Sequence, residues 1–176
     1  MPYRLILAPG ASGTVAGLRP YLKGLAARGI NAQALELPRG TVERALPVYR
    51  AALQAGDPTT TIIGGHSFGG RVASLLAAEE PVAGLLLMSY PLHRPGHPEH
   101  WELRTNHWPL IGCPVLLLSG ESDPFARLPL LRDGVGRLPH AELVTYPGVR
   151  HGIGPVLPDA LDRIAAWIGR LPRLDS

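Results

Sequence analysis

Short apolar runs alternate along this chain with longer stretches in which apolar residues return at helical spacing. The short runs cover residues 4–8, 32–37, 60–64, 84–89, 115–119 and 142–146 and predict strands. The longer stretches, 15–28, 42–54, 68–79, 125–137 and 155–170, predict helices. The last is the most regular: Leu157, Leu161, Ile164, Ala165 and Ile168 share one face, while Asp159 and Asp162 lie elsewhere. Strand–helix alternation of this kind is the signature of parallel strands joined by crossover helices. The expected fold class is therefore α/β: a three-layer α/β/α sandwich with about six mostly parallel strands.

One connection breaks the rhythm. Residues 90–114 are rich in Pro, His and Trp and show little helical periodicity, and loops of this length in a compact domain tend to be functional or disordered. Tyr90, Leu92, Trp101 and Trp108 predict a short cap or pocket wall here, with Leu92, His93 and Trp101 as candidate substrate contacts. The bland alternative is a satellite apolar cluster beneath a loop. No repeat, low-complexity tract or linker divides the chain, so residues 1–176 are expected to form a single domain.

Composition narrows the function. With 45% hydrophobic residues over 176 positions, the chain can bury one substantial core. Lys and Arg number 17 against 14 acidic residues, a formal charge of only +3, and they form neither runs nor a basic amphipathic stretch. Neither nucleic acid nor an anionic membrane is an expected partner. The single cysteine, Cys113, excludes an intramolecular disulfide and any multi-cysteine metal cage. The apolar run near Met1 is too short for a signal peptide or a membrane span, which makes a cytoplasmic protein the expectation. His93, His97, His100 and His107 cluster in the irregular segment, but their spacings match no standard zinc signature. No metal and no organic cofactor are expected.

The sharpest chemical signal lies where the apolar strand Thr61-Ile62-Ile63 runs into Gly64-Gly65-His66-Ser67-Phe68-Gly69-Gly70 and then a helix. A G-x-S-x-G sequence between a strand and a helix is a nucleophile elbow. The turn is strained, side chains at Gly65 and Gly69 would crowd it, and the following helix aims its free amides at the place where an oxyanion would form.

Serine is a weak nucleophile at neutral pH and needs a base, which in turn needs an orienting acid. Asp123 follows the strand at 115–119, within Gly120-Glu121-Ser122-Asp123-Pro124. His151 follows the last strand, within Pro147-Gly148-Val149-Arg150-His151-Gly152. Both therefore leave the C-terminal edge of the sheet, in the chain order serine, acid, histidine. Glu121 and Asp133 are rivals for Asp123, which could also cap a helix starting at Pro124. His66 reads as structural or pocket-lining, and His140 sits before a strand, at the wrong edge. The amides of Phe68 and of Ala11, in the small-residue loop after the first strand, are the candidate oxyanion donors.

These motifs resemble the α/β-hydrolase superfamily. Gly64–Arg71 (G-G-H-S-F-G-G-R), Ser89–Gly96 (S-Y-P-L-H-R-P-G) and Cys113–Phe125 (C-P-V-L-L-L-S-G-E-S-D-P-F) are similar to a compact dienelactone-hydrolase-like branch related to the testis-expressed hydrolase-like family. The resemblance implies a minimal fold lacking the first two strands of a full-length α/β-hydrolase. It places Ser67, Asp123 and His151 in a catalytic triad, with Ala11 and Phe68 in the oxyanion hole. Two departures stand out: related proteins have His-Gly where this chain has Pro9-Gly10, and dienelactone hydrolases use a cysteine nucleophile. The expected activity is hydrolysis of a small carboxylic ester or thioester through an acyl-serine intermediate. The alternative is a catalytically silent binding or scaffold protein on the same fold. The sequence leaves the oligomeric state open.

Overall fold

The computed structural model describes residues 3–172. Six strands form its sheet: β1 (Arg4–Ala8), β2 (Asn31–Ala34), β3 (Thr61–His66), β4 (Gly84–Met88), β5 (Val115–Gly120) and β6 (Ala141–Tyr146). Five helices connect or flank them: α1 (Arg19–Ala26), α2 (Val42–Gln54), α3 (Phe68–Glu79), α4 (Leu128–Val135) and α5 (Leu157–Arg170). The strand order is β2-β1-β3-β4-β5-β6. Every pairing is parallel.

The apolar runs explain the layering. All residues of β4 and β5 are buried, as strands covered on both faces must be. Alternate residues along them point into two apolar clusters. One holds Ile63, Leu85, Leu87 and Leu117 against Tyr49 of α2, Val72 and Leu76 of α3 and Leu131 of α4. The other holds Ile62, Leu86, Leu116 and Leu118 against Leu25 of α1 and Leu161, Ile164 and Trp167 of α5. From β1 the chain turns to β2 on one side, and the remaining strands build out from the other side. The sheet thus has its switch point between β1 and β3, where α/β proteins place their sites.

Element boundaries depart from the periodic pattern mainly where proline intervenes. The helix expected over 15–28 is a 3-10 turn (Val15–Leu18) followed by α1, with Pro20 in the first turn of α1. Proline favours that position because its missing N–H is not needed there. Similarly, α4 starts at Leu128 with Pro129 in its first turn, not at Phe125, and α5 starts at Leu157 after a 3-10 turn over Gly154–Val156. Strand β2 ends at Ala34, although the Leu35 amide still donates to the Leu7 carbonyl at 2.8 Å. Residues 90–114 contain 3-10 turns at Pro98–Arg104 and Trp108–Leu110. Tyr90, Leu92 and Trp108 are buried with the first cluster, the Tyr90 and Trp108 rings 5.0 Å apart. Among the described residues no helix is long and apolar enough to cross a membrane.

Candidate active site

Ser67 is the single residue between β3 and α3, and its backbone is left-handed (φ 50°, ψ −116°). A non-glycine residue held there costs about 1–3 kcal/mol, so its surroundings must impose the turn. They do. The Ser67 amide donates to the Met88 carbonyl at 2.9 Å, and its own carbonyl accepts from the Arg71 amide at 3.0 Å. The turn fits against β1 only without side chains: a Cβ on Gly65 or Gly69 would stand 2.4 Å from the Ala8 carbonyl oxygen.

His151 lies in the loop after β6, and this loop is fastened from several directions. Val149 and Ile153, on either side of it, are buried in the cluster beneath α5. The Val149 carbonyl accepts from the Ser122 amide at 3.0 Å and passes so close to β5 that a Cβ on Gly120 would meet it at 2.1 Å. The Gly152 amide donates to Ser89 Oγ at 3.1 Å. Ser89, at the end of β4, also has a left-handed backbone (φ 51°).

These constraints bring three side chains into one line. His151 Nε2 lies 2.9 Å from Ser67 Oγ, and His151 Nδ1 lies 2.8 Å from Asp123 Oδ2. A carboxylate only accepts, so Nδ1 carries the proton and Nε2 is left to accept from the serine hydroxyl. The Asp123 side chain is wholly buried, and its second oxygen accepts from the Phe125 amide at 2.8 Å. Asp123 therefore ties a turn within its own loop and does not cap α4, whose N-cap is Arg127. The His151 ring is flanked by Phe125 (centroids 4.4 Å apart) and by His66 (5.2 Å). Burial, and after it the neighbouring His151, holds His66 down at about 4, so it stays neutral and does not compete for the proton. Such a line can draw a proton from a hydroxyl and hold the resulting imidazolium beside a buried negative charge.

The rivals are occupied elsewhere. Glu121 accepts from Thr145 Oγ at 2.8 Å, and Asp133 is within α4. His140 precedes β6, its carbonyl taking the Val115 amide at 2.8 Å. The Cys113 thiol is pushed up to about 12 by burial and remains protonated.

Phe68 opens α3, so its amide is among the donors a helix leaves free. Ala11 sits in the turn closed by the Gly13 amide on the Gly10 carbonyl, at 3.1 Å. Both line a cleft of about 170 Å³ together with Pro9, Leu37 and Pro38.

Leu92 is fully buried, and His93 is nearly so. Nε2 of His93 accepts from the Arg127 amide at 3.0 Å, and its Nδ1 donates to the Arg94 carbonyl at 2.9 Å. His93 thereby ties the irregular segment to the loop that carries Asp123. Trp101 packs beneath the Arg137 guanidinium, 4.4 Å from its ring centroid. His97 and His100 stack in the open around Glu99, whereas His107 bonds Ser74 Oγ at 2.8 Å. Ser89 and Gly120 are not recognisable from local pattern as supports of the His151 loop, because both act through contacts distant along the chain.

The sequence matches the family described as "Alpha/beta hydrolase domain" over residues 37–154, more than half the chain. The chain belongs to that family. A comparison with curated proteins yields no significant match. Among solved structures it is similar to a monoacylglycerol lipase of Paleococcus ferrophilus (15% identity, 94% of this chain and 93% of that one, TM-score 0.81). It is also similar to Est1E of Butyrivibrio proteoclasticus (14% identity, 94% and 86%, TM-score 0.76). A third is the esterase domain of a Rhodothermus marinus protein (15% identity, 96% and 87%, TM-score 0.75). At these identities the likeness shows the fold.

Proposed function

We propose that the protein is a serine hydrolase that cleaves small carboxylic esters or thioesters. The observation that carries this reading is the hydrogen-bonded line from Ser67 through His151 to buried Asp123. Ser67 Oγ attacks the carbonyl carbon as its proton passes to His151 Nε2. The oxyanion that forms is held by the Phe68 and Ala11 amides. On collapse, the leaving alkoxide or thiolate takes the proton from His151, and the acyl group remains on Ser67. Water then attacks the acyl carbon, giving its proton to His151, which returns it to Ser67 as the acid departs. Asp123 stays ionised throughout and stabilises the imidazolium. Residues 90–114 form a minimal cap, so the favoured substrates are small or surface-presented.

The test is labelling by a fluorophosphonate together with hydrolysis of short-chain p-nitrophenyl esters. Ser67→Ala and His151→Ala are each expected to abolish labelling and to lower kcat by at least about a thousandfold. Full activity in Ser67→Ala would overturn the assignment. A wild-type protein that neither labels nor hydrolyses would instead favour a silent scaffold on this fold.

A further inference from the structure

Residues 90–114 leave β4 at the same sheet edge as Ser67 and carry a second cluster of polar side chains. Arg94, His97, His100, Leu103 and Arg104 line a cavity of about 390 Å³, which Arg71 of α3 closes. Arg71 lies one turn along α3 from Ser67, its amide bonded to the Ser67 carbonyl. That turn advances about 6 Å.

Three arginines thus line one cavity without an ion pair to any of them among the described residues. Arg28, Arg50, Arg137, Arg163 and Arg170 each pair with a carboxylate. Arg71, Arg94 and Arg104 form no such pair among the described residues. Glu43 feels Arg71 electrostatically without closing an ion pair, and Glu99 is shared between His97 and His100. Nor is the cluster floppy: one Arg104 nitrogen donates to the Pro91 carbonyl at 2.8 Å, and the Arg104 carbonyl accepts from the buried Tyr90 hydroxyl at 2.6 Å. Arg104 is half-buried, and burial followed by Arg71 lowers its pKa, the direction expected where like charges meet without compensation. Planar guanidinium forks suit carboxylate and phosphate oxygens. His97, Glu99 and His100 lie close enough together to suggest a metal, their ligand atoms within 4.8 Å of one another. The three arginines on the same cavity oppose a cation there.

We propose that this cavity is the subsite for an oxyanion group, carboxylate or phosphate, carried by the ester at a distance from its scissile bond. The proposal rests on the hydrolase reading and adds the substrate class: anionic esters over neutral ones.

Two measurements test it. In the Ser67→Ala protein, inorganic phosphate and glutarate, each against chloride at matched ionic strength, are expected to raise Tm saturably. The double variant Arg71→Gln, Arg94→Gln is expected to lose most of that shift, and the stronger of the two anions identifies the head group. In the wild-type protein, kcat/KM for the p-nitrophenyl hemiester of glutaric acid is expected to exceed that for p-nitrophenyl valerate by about tenfold. That ratio should fall toward one when Arg71→Gln and Arg94→Gln are combined in the protein that retains Ser67. Absence of an anion-specific shift, or a shift unaltered in the double variant, overturns the subsite. A shift without charge preference in hydrolysis overturns its role in substrate selection. Anion binding in a protein that hydrolyses neither ester would strike the hydrolase reading itself.

Discussion

Two serines hold left-handed backbones at the ends of adjacent strands, and they serve one histidine from opposite sides. Ser67 faces Nε2 of His151, while the Ser89 hydroxyl receives the amide of Gly152, the next residue. Ser89→Ala removes one hydrogen bond from the loop that aims the imidazole. It should lower kcat about 3- to 10-fold with little change in KM, matching the usual worth of one such bond. Ser89→Gly, which also relieves the backbone, should lower kcat similarly; full activity in both variants would deny Ser89 a positioning role. At this scale the sequence was informative where a candidate side chain lay in a loop leaving the C-terminal end of a strand, as with Ser67, Asp123 and His151, which the structure brings within hydrogen-bonding distance. It chose Asp123 over Glu121 by loop position, and the structure supplies the physical difference: Glu121 is spent on Thr145, and Asp123 is buried against His151. Ser89 was illegible because its partner lies 63 residues away and no local pattern encodes that contact.

Helices with uninterrupted apolar spacing were readable to their ends. Residues 42–54 and 68–79 match α2 and α3 in full, even though Pro47 lies inside α2. Helices opening on proline were overextended, since periodicity counts apolar residues but does not register where the backbone can begin hydrogen bonding. Packing between elements was less legible still. Tyr49 of α2 reaches the sheet interior, where its hydroxyl lies 2.8 Å from the Ile6 carbonyl oxygen and 2.7 Å from that of Gly64, and accepts from the Gly64 amide at 2.9 Å. It thus pins α2 to β1 and β3 just ahead of the elbow. Tyr49→Phe would preserve the ring and strand these buried backbone groups, costing about 1–3 kcal/mol in urea unfolding. A loss below about 0.5 kcal/mol would mean that the backbone finds other partners.

For the molecule as a whole, two half-buried histidines, His66 and His107, contribute to the response to acid. Burial, reinforced by His151 beside His66 and by Arg71 beside His107, holds both near 4, well below the usual value of about 6.5. The unfolded chain therefore binds protons that the native chain refuses. The stability contributed by this difference is complete above about pH 6.5 and drains away as the pH falls toward 4. The urea midpoint should decline between pH 7 and 5, and His107→Gln, which can keep a bond to Ser74, should make the decline shallower. An identical slope in wild type and variant would remove His107 from the account.

The placement of the two apolar clusters separates what has to stay fixed from what is free to vary. His151 is moored through Val149 and Ile153 to the side of the sheet covered by α1 and α5. Tyr90, Leu92 and Trp108 root residues 90–114 on the opposite side, among α2, α3 and α4. Insertions or changes of polarity in that segment can therefore arise without slackening the histidine, provided His93 keeps its hold on the Asp123 loop. The sheet thus stands as a firebreak between the loop that carries His151 and the segment freest to drift.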